Sequence, residues 1–210
     1  MRTSLTRLQL LISVFSLYGM AQDSSSDAVL EFENPWVRVV RVRYSAHQKT
    51  GMHDHPSTPT VYVYTTDGGR LEIGHEGEKP VIRPPVKAGG IRFQRGVAER
   101  HVVQELDGVS SEYVRIELKT QPVDLPEQDV RRAPGDFNPY ESGMIRIERV
   151  VCPVQASCPA SEHPERPAVL VENGKVRWIE PGSAPTANRS ERPLELVRVE
   201  LKSNPAKSQN

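Results

Sequence analysis

An excess of charge of one sign and helix-period apolar runs are what this chain lacks, and it has only two cysteines. Its 27 basic and 27 acidic residues cancel and are interspersed, which removes the electrostatic footprint of a nucleic-acid partner. No apolar run of useful length repeats at helical spacing. The hydrophobic fraction of 37% is modest, in keeping with sheets that bury one face each, and the 18 prolines and 14 glycines sit mainly between short apolar segments as turn punctuation. At 210 residues the chain has room for one generous domain or two small ones. The alternation Arg38-Val39-Val40-Arg41-Val42-Arg43 reads as a strand with a solvated, arginine-bearing outer face.

The first residues read as an address. Arg2 and Arg7 precede the apolar stretch Leu8 to Tyr18, then Gly19-Met20-Ala21 and a polar serine-rich segment, the layout of a secretory signal peptide over residues 1–21. A membrane anchor is the competing reading, but Gln9, Ser13 and Ser16 interrupt a stretch too short to span a bilayer. Cleavage after Ala21 leaves 189 residues with 25 basic and 27 acidic side chains, a formal charge of −2. The expectation is an exported protein, periplasmic or secreted, off the membrane after cleavage, with an exposed N-terminal segment over 22–31.

What is present is concentrated in histidine. His53 and His55 stand one residue apart in Gly51-Met52-His53-Asp54-His55-Pro56, ahead of the strand-like Val61-Tyr62-Val63-Tyr64. In an extended segment residues i and i+2 share a face, so the pair delivers two imidazoles to one point. His101 follows a second glycine-flanked segment, Gly89 to Gly96, and would come in from another strand. Neutral imidazole suits Fe, Mn, Zn, Ni or Cu, so the spacing leaves the metal open. A solvated surface pair is the plain alternative. His47 and His75 fall in expected loops and read as exposed bystanders.

Together these segments resemble the cupin family. Gly51, His53, His55, the Val61–Tyr64 strand and Gly68-Gly69 resemble its first motif, and Gly90, Gly96 and His101 its second; the likeness covers about Phe32 to Lys119. It implies an all-β fold, a double-stranded β-helix or jelly-roll barrel over 32–119, holding one divalent ion through His53, His55 and His101. Thr60, Tyr62 and Tyr64 share the parity of the inward-facing family position and would line the cavity. The chain departs from the pattern where a glutamate ligand belongs, since Pro59 and Thr60 stand there. Glu99 or Glu105 are the candidates to replace it.

The chain also repeats itself. Glu112-Tyr113-Val114-Arg115-Ile116-Glu117-Leu118-Lys119 recurs as Glu195-Leu196-Val197-Arg198-Val199-Glu200-Leu201-Lys202 with six identities in eight positions. Trp36 to Val42 matches Met144 to Val150 at an offset of 108, which also sets His163-Pro164 on His55-Pro56 and Ser161 on His53. Residues 138–202 therefore read as a shorter, degenerate cupin-like β unit, its apolar face packed on the first. It spans 59 residues from Met144 to Lys202 against 84 from Trp36 to Lys119, and has lost two of the three histidines. Residues 120–137 read as a linker and 203–210 as a frayed tail. Cys152 and Cys158, the only cysteines, read as a disulfide in an exported chain; a metal site with His163 is the weaker alternative.

Three functions follow as expectations: a metalloenzyme of dioxygenase, isomerase or decarboxylase type; a binding module that captures a small molecule or a metal without turnover; or a structural role. The expected partner is a small-molecule ligand or substrate. A homodimer is compatible with each.

Overall fold

The computed structural model describes residues 27–206; the leader over 1–21, the start of the 22–31 segment and the last four residues lie outside them. Every described element is a strand. The largest sheet joins β1 (Asp27–Glu33), β2 (Val37–Tyr44), β4 (Thr60–Tyr64), β7 (Ile91–Gln94), β9 (Ser111–Leu118) and β10 (Val130–Arg132) in the order β1-β2-β9-β4-β7-β10. A four-stranded sheet, β3-β8-β5-β6, is made from β3 (His53–His55), β5 (Leu71–His75), β6 (Val81–Arg83) and β8 (Glu99–Glu105). The third holds β11 (Tyr140–Glu141), β12 (Ile145–Cys152), β13 (Ala168–Glu172), β14 (Lys175–Ile179) and β15 (Leu194–Leu201) in the order β11-β12-β15-β13-β14.

The six-stranded sheet is the middle layer, packed on both faces, and its strand β2 is apolar toward each. Val40, Val42 and Tyr44 of β2 pack with Ile73 and Val103 of the four-stranded sheet, closing the two sheets into the jelly-roll barrel. On the opposite face Val37, Val39, Val61, Val63, Val114, Ile116 and Leu118 pack with Ile145, Ile147, Val169, Val171, Val197, Val199 and Leu201 of the third sheet. Each of these side chains is at most 4% exposed, so the largest core lies between the two repeat units. Burying such a side chain stabilises by about 1.5–3 kcal/mol, which makes the units one cooperative body.

The repeat has a structural counterpart at the level of single hydrogen bonds. Val37 pairs with Leu118 as Ile145 pairs with Leu201, Thr60 with Glu117 as Ala168 with Glu200, and Phe32 with Val39 as Tyr140 with Ile147. The Asn34 Oδ1 that accepts from the amides of Trp36 and Val37 is matched by the Ser142 Oγ that accepts from Met144 and Ile145. Thr50 donates its amide to Val103 as Cys158 does to Thr186, and Glu105 donates to Gln48 as Asn188 does to Ala156. All of these obey the offset of 108 before the missing segment and 83 after it. The second unit keeps one sheet. Its outer face is closed by loops over Val150, Leu170, Leu194 and Leu196, with Cys152 and Cys158 disulfide-bonded among them.

The segment over 22–31 is exposed where it is described, from Asp27 onward, and there it forms strand β1 paired with β2. Three other expectations need correction. The linker 120–137 supplies β10, which pairs with β7 and brings Asp129 to within 2.6 Å of the buried Arg92; a buried guanidinium needs such a partner. The tail is anchored as far as Ala206, whose amide donates to the Lys119 carbonyl while Asn204 accepts from Gln121. Arg41 is not solvated: its guanidinium, 12% exposed, meets Glu31, Glu112 and the Gly174 carbonyl of the other unit.

Candidate metal centre

The HxH segment becomes the short strand β3, paired antiparallel with β8 so that His53 lies directly opposite His101. His55 shares the face of His53 by strand parity. The three ring centroids are 4.8 to 4.9 Å apart, and one nitrogen from each lies within 4.8 Å of the others. Metal–nitrogen bonds near 2 Å need separations of roughly 3 to 4 Å, inside that bound. Gly96 makes the approach: its φ is +84°, and a Cβ there would collide with the backbone of Thr58 and Pro59. Only glycine lets the turn into β8 pass so close to the histidine segment.

Local partners orient the rings. His53 Nδ1 is 3.0 Å from the Gly51 carbonyl and His101 Nδ1 is 3.1 Å from Glu99 Oε2, so each ring donates from Nδ1, which leaves Nε2 as the nitrogen available to a metal. His55 is set differently. Its Nδ1 is 3.1 Å from Arg115 Nη1, and since arginine only donates, the neutral ring accepts there and carries its proton on Nε2. Burial first, then the Arg115 charge, then the other two histidines push the His55 pKa down to about 3. It is neutral at physiological pH, and a metal coordinated through its Nε2 competes with Arg115 for the ring.

The carboxylate question resolves by position. Glu99, hydrogen-bonded to His101 and held ionised with a pKa of about 2, forms a second ligand-competent group with His75 and His101. His75 was expected to be a bystander; it closes β5, pairs across to His101 and sets its ring 5.6 Å away. The missed signal is its place two residues beyond the inward-facing Ile73. Glu105 shares the inward face of β8, yet both its oxygens are used up: the amides of His47, Asp107 and Gly108 each donate to it at 2.8 Å. Gly69 leaves room for it, since a Cβ there would meet Glu105 Oε1. Glu105 is a turn anchor at the far end of the strand and is not among the grouped ligands.

Beside the histidines opens a cavity lined by Thr60, Tyr62 and Tyr64, as the parity of β4 requires. Strand β9 adds Tyr113, Arg115 and Glu117, which sequence reading did not place in the cavity; the alternation was visible, but the inside of a barrel mouth is itself polar. Tyr113 sits among the rings of Tyr44, Tyr62 and Tyr64 at 5.7 to 6.2 Å, and burial drives its pKa well up, so it remains a phenol. Arg115 Nε is 3.0 Å from Glu117 Oε1 without hydrogen-bond alignment, so that contact is Coulombic.

No protein-family model matches the chain, and no curated protein matches it in sequence. Solved structures do. A protein from Pseudomonas aeruginosa named for induction by glyoxylate superposes with a TM-score of 0.51 at 14% identity, covering 87% of this chain and 82% of that one. A quercetin 2,3-dioxygenase from Acinetobacter baumannii gives 0.50 at 11% identity, over 81% and 75%. A cupin domain from Bordetella pertussis is 24% identical over 45% of this chain and 94% of its own, with a TM-score of 0.40. Two face-to-face antiparallel sheets, the histidine pair on β3 and the third histidine opposite it on β8 identify the architecture of the first unit as the cupin fold.

Proposed function

We propose that His53, His55 and His101 hold one divalent metal ion, and that ion and cavity together take a small oxygenated molecule, making this a cupin-fold metalloenzyme of the dioxygenase, isomerase or decarboxylase type. The observation that carries the reading is the convergence of the rings: one nitrogen of each of His53, His55 and His101 lies within 4.8 Å of the others, while Nδ1 of His53 and of His101 is engaged by an oxygen acceptor, and His55 is neutral there. Three neutral ligands leave the ion's charge uncompensated, which favours an anionic or chelating ligand, and a bound ion would supply Lewis acidity and open coordination positions. Arg115 would orient an anionic group in the cavity, Glu99 would hold His101 in its tautomer, and the four tyrosines would wall the organic part of the ligand from water.

A non-catalytic binding module is the second reading, favoured by the proton inventory. Burial holds Tyr44, Tyr62 and Tyr113 above the usual phenol range and His55 far below neutrality, so none of these four is poised to exchange a proton near pH 7. Metal analysis of protein purified from its native compartment, followed by oxygen uptake with small diols, thiols and β-diketones, separates the readings. Metal with uptake supports the enzyme; metal and saturable ligand binding without turnover support the module; protein that takes up no divalent ion ends both metal readings. Export belongs to the same proposal, supported by the leader pattern and by a disulfide that an oxidising compartment maintains, and release of the mature chain by osmotic shock or into the medium tests it.

A further inference from the structure

The second unit has a cavity at the place where the first has its metal centre. Under the two offsets Ser161 stands for His53 and Ala184 for His101, and both line it, together with Leu170 and Ile179. A hydroxymethyl and a methyl thus stand where the first unit has two imidazoles, and the cavity beside them measures about 140 Å³.

Its polar groups are mismatched in a way the first unit's are not. Glu117 in the first cavity is flanked by Arg38 and Arg115. At the corresponding position Glu200 is 1% exposed, but the equivalent arginines, Arg146 and Arg198, turn to Glu148, which replaces the apolar Val40. Arg146 is further held by Glu141 and Glu162, and Arg198 by the Pro159 carbonyl. Glu200 keeps a Coulombic interaction with Arg146, but its hydrogen bond is from the Ser161 hydroxyl, which donates to Oε1, and its Oε2 has no hydrogen-bond partner. Arg166 lines the same cavity, and its buried Nη1 also has no hydrogen-bond partner. A buried carboxylate oxygen and a buried guanidinium nitrogen, both unsatisfied, are costly unless something pairs them.

We propose that this cavity is a second, metal-free binding site for a small carboxylic acid bearing an amino or hydroxyl group. Its ammonium or hydroxyl donates to Glu200 Oε2, its carboxylate accepts from Arg166 Nη1, and a short aliphatic body rests on Leu170 and Ile179. The loss of the histidines is then a change of ligand, with a hydrogen-bonding pair in place of a coordination sphere. An apolar ligand would leave both polar atoms unpaired, and a divalent ion would find one carboxylate and one cation.

The test is calorimetric titration of the full chain, stripped of metal with a chelator, using L-alanine and L-valine in one arm and lactate and 2-hydroxyisovalerate in the other. Saturable one-to-one binding in at least one arm is expected, and the arm that binds more tightly identifies the donor. Glu200→Gln, which keeps shape but not charge, should weaken it by at least about tenfold, the scale of a hydrogen bond to a charged group. Ala184→Trp, at an exposed rim position, should block entry without disturbing the buried sheet, and metal-induced stabilisation of the first unit should survive it. The proposal is overturned if no probe binds the wild type, if binding is unchanged in Ala184→Trp and Arg166→Ala, or if binding disappears in His53→Ala and so belongs to the first cavity.

Discussion

The two halves of this protein share strand order, register and capping hydrogen bonds, and differ in what they do with the space those strands enclose. In the first, the six-stranded sheet is roofed by a second sheet that carries His53, His55, His75 and His101. In the second, a segment 25 residues shorter leaves no such roof, and disulfide-tied loops cover the face instead. Backbone pairing survives the loss of chemistry because the two units bury their apolar faces against each other. The shared core buries Val199 and Leu201 as completely as Ile116 and Leu118, whereas Ser161 and Ala184 are not part of it.

The strongest way to break the comparison is to ask whether either half stands alone. Leu118→Ala and Leu201→Ala remove equivalent side chains, 2% and 1% exposed, from the same core, and each should cost about 2–5 kcal/mol. Both should lower one shared melting transition. Two separable transitions in calorimetry would mean that the halves are independent domains in contact.

Metal should separate the halves next. At a free concentration one hundred times its dissociation constant, an ion that binds only the folded chain adds about 2.7 kcal/mol. His53→Ala or His55→Ala should abolish that increment, and His163→Ala, whose ring turns outward to Glu165, should leave it intact. Equal melting of His55→Ala and wild type in saturating metal would remove the metal centre from the account.

A sharper contrast lies in one turn. Glu105 anchors it in the first unit and the buried Asn188 stands at the same position in the second, accepting from Ser190 as Glu105 accepts from Asp107. Burial alone would raise the Glu105 pKa, but four backbone amides outweigh it and hold it below 4.5. The unfolded chain therefore takes up the proton first on acidification. The stabilisation from Glu105 is fully present above about pH 4.5 and is lost as pH falls through the lower folded-state value. Glu105→Gln should cost about 1–3 kcal/mol at neutral pH and flatten the acid limb of a stability curve, while Asn188→Ala should lower stability equally at every pH. An acid limb unchanged in Glu105→Gln would assign it to other carboxylates.

The smallest effect should be the most specific. Because Arg115 competes with a metal for the His55 ring, Arg115→Gln should tighten divalent binding by up to about tenfold, or 1.4 kcal/mol. Metal titration of the two proteins checks it; weaker binding in the variant would show that Arg115 supports the site.

Much of this was legible along the chain. The HxH spacing, the glycine before His101 and the period-2 alternation of β4 were enough to bring three histidines and Thr60, Tyr62 and Tyr64 to one cavity, because strand parity is a local rule. The eight-residue repeat likewise announced the second sheet. What parity cannot say is which polar face is outside: the polar face of β9, Tyr113, Arg115 and Glu117, lines the cavity, and Arg41 looked solvated and ties the two units.

The sequence by itself determined the all-β fold, the pairing of the two units and the identity of the residues able to hold a metal, since these rest on periodicity and on spacing within single segments. Only the tertiary structure decided that Glu105 anchors a turn while Glu99 and His75 sit beside His101, and that Arg146 and Arg198 turn to Glu148 and leave Glu200 Oε2 without a hydrogen bond. Each of those outcomes depends on which side chains from distant strands compete for one donor or acceptor, and that competition is settled in space, where residues a hundred positions apart in the chain become neighbours.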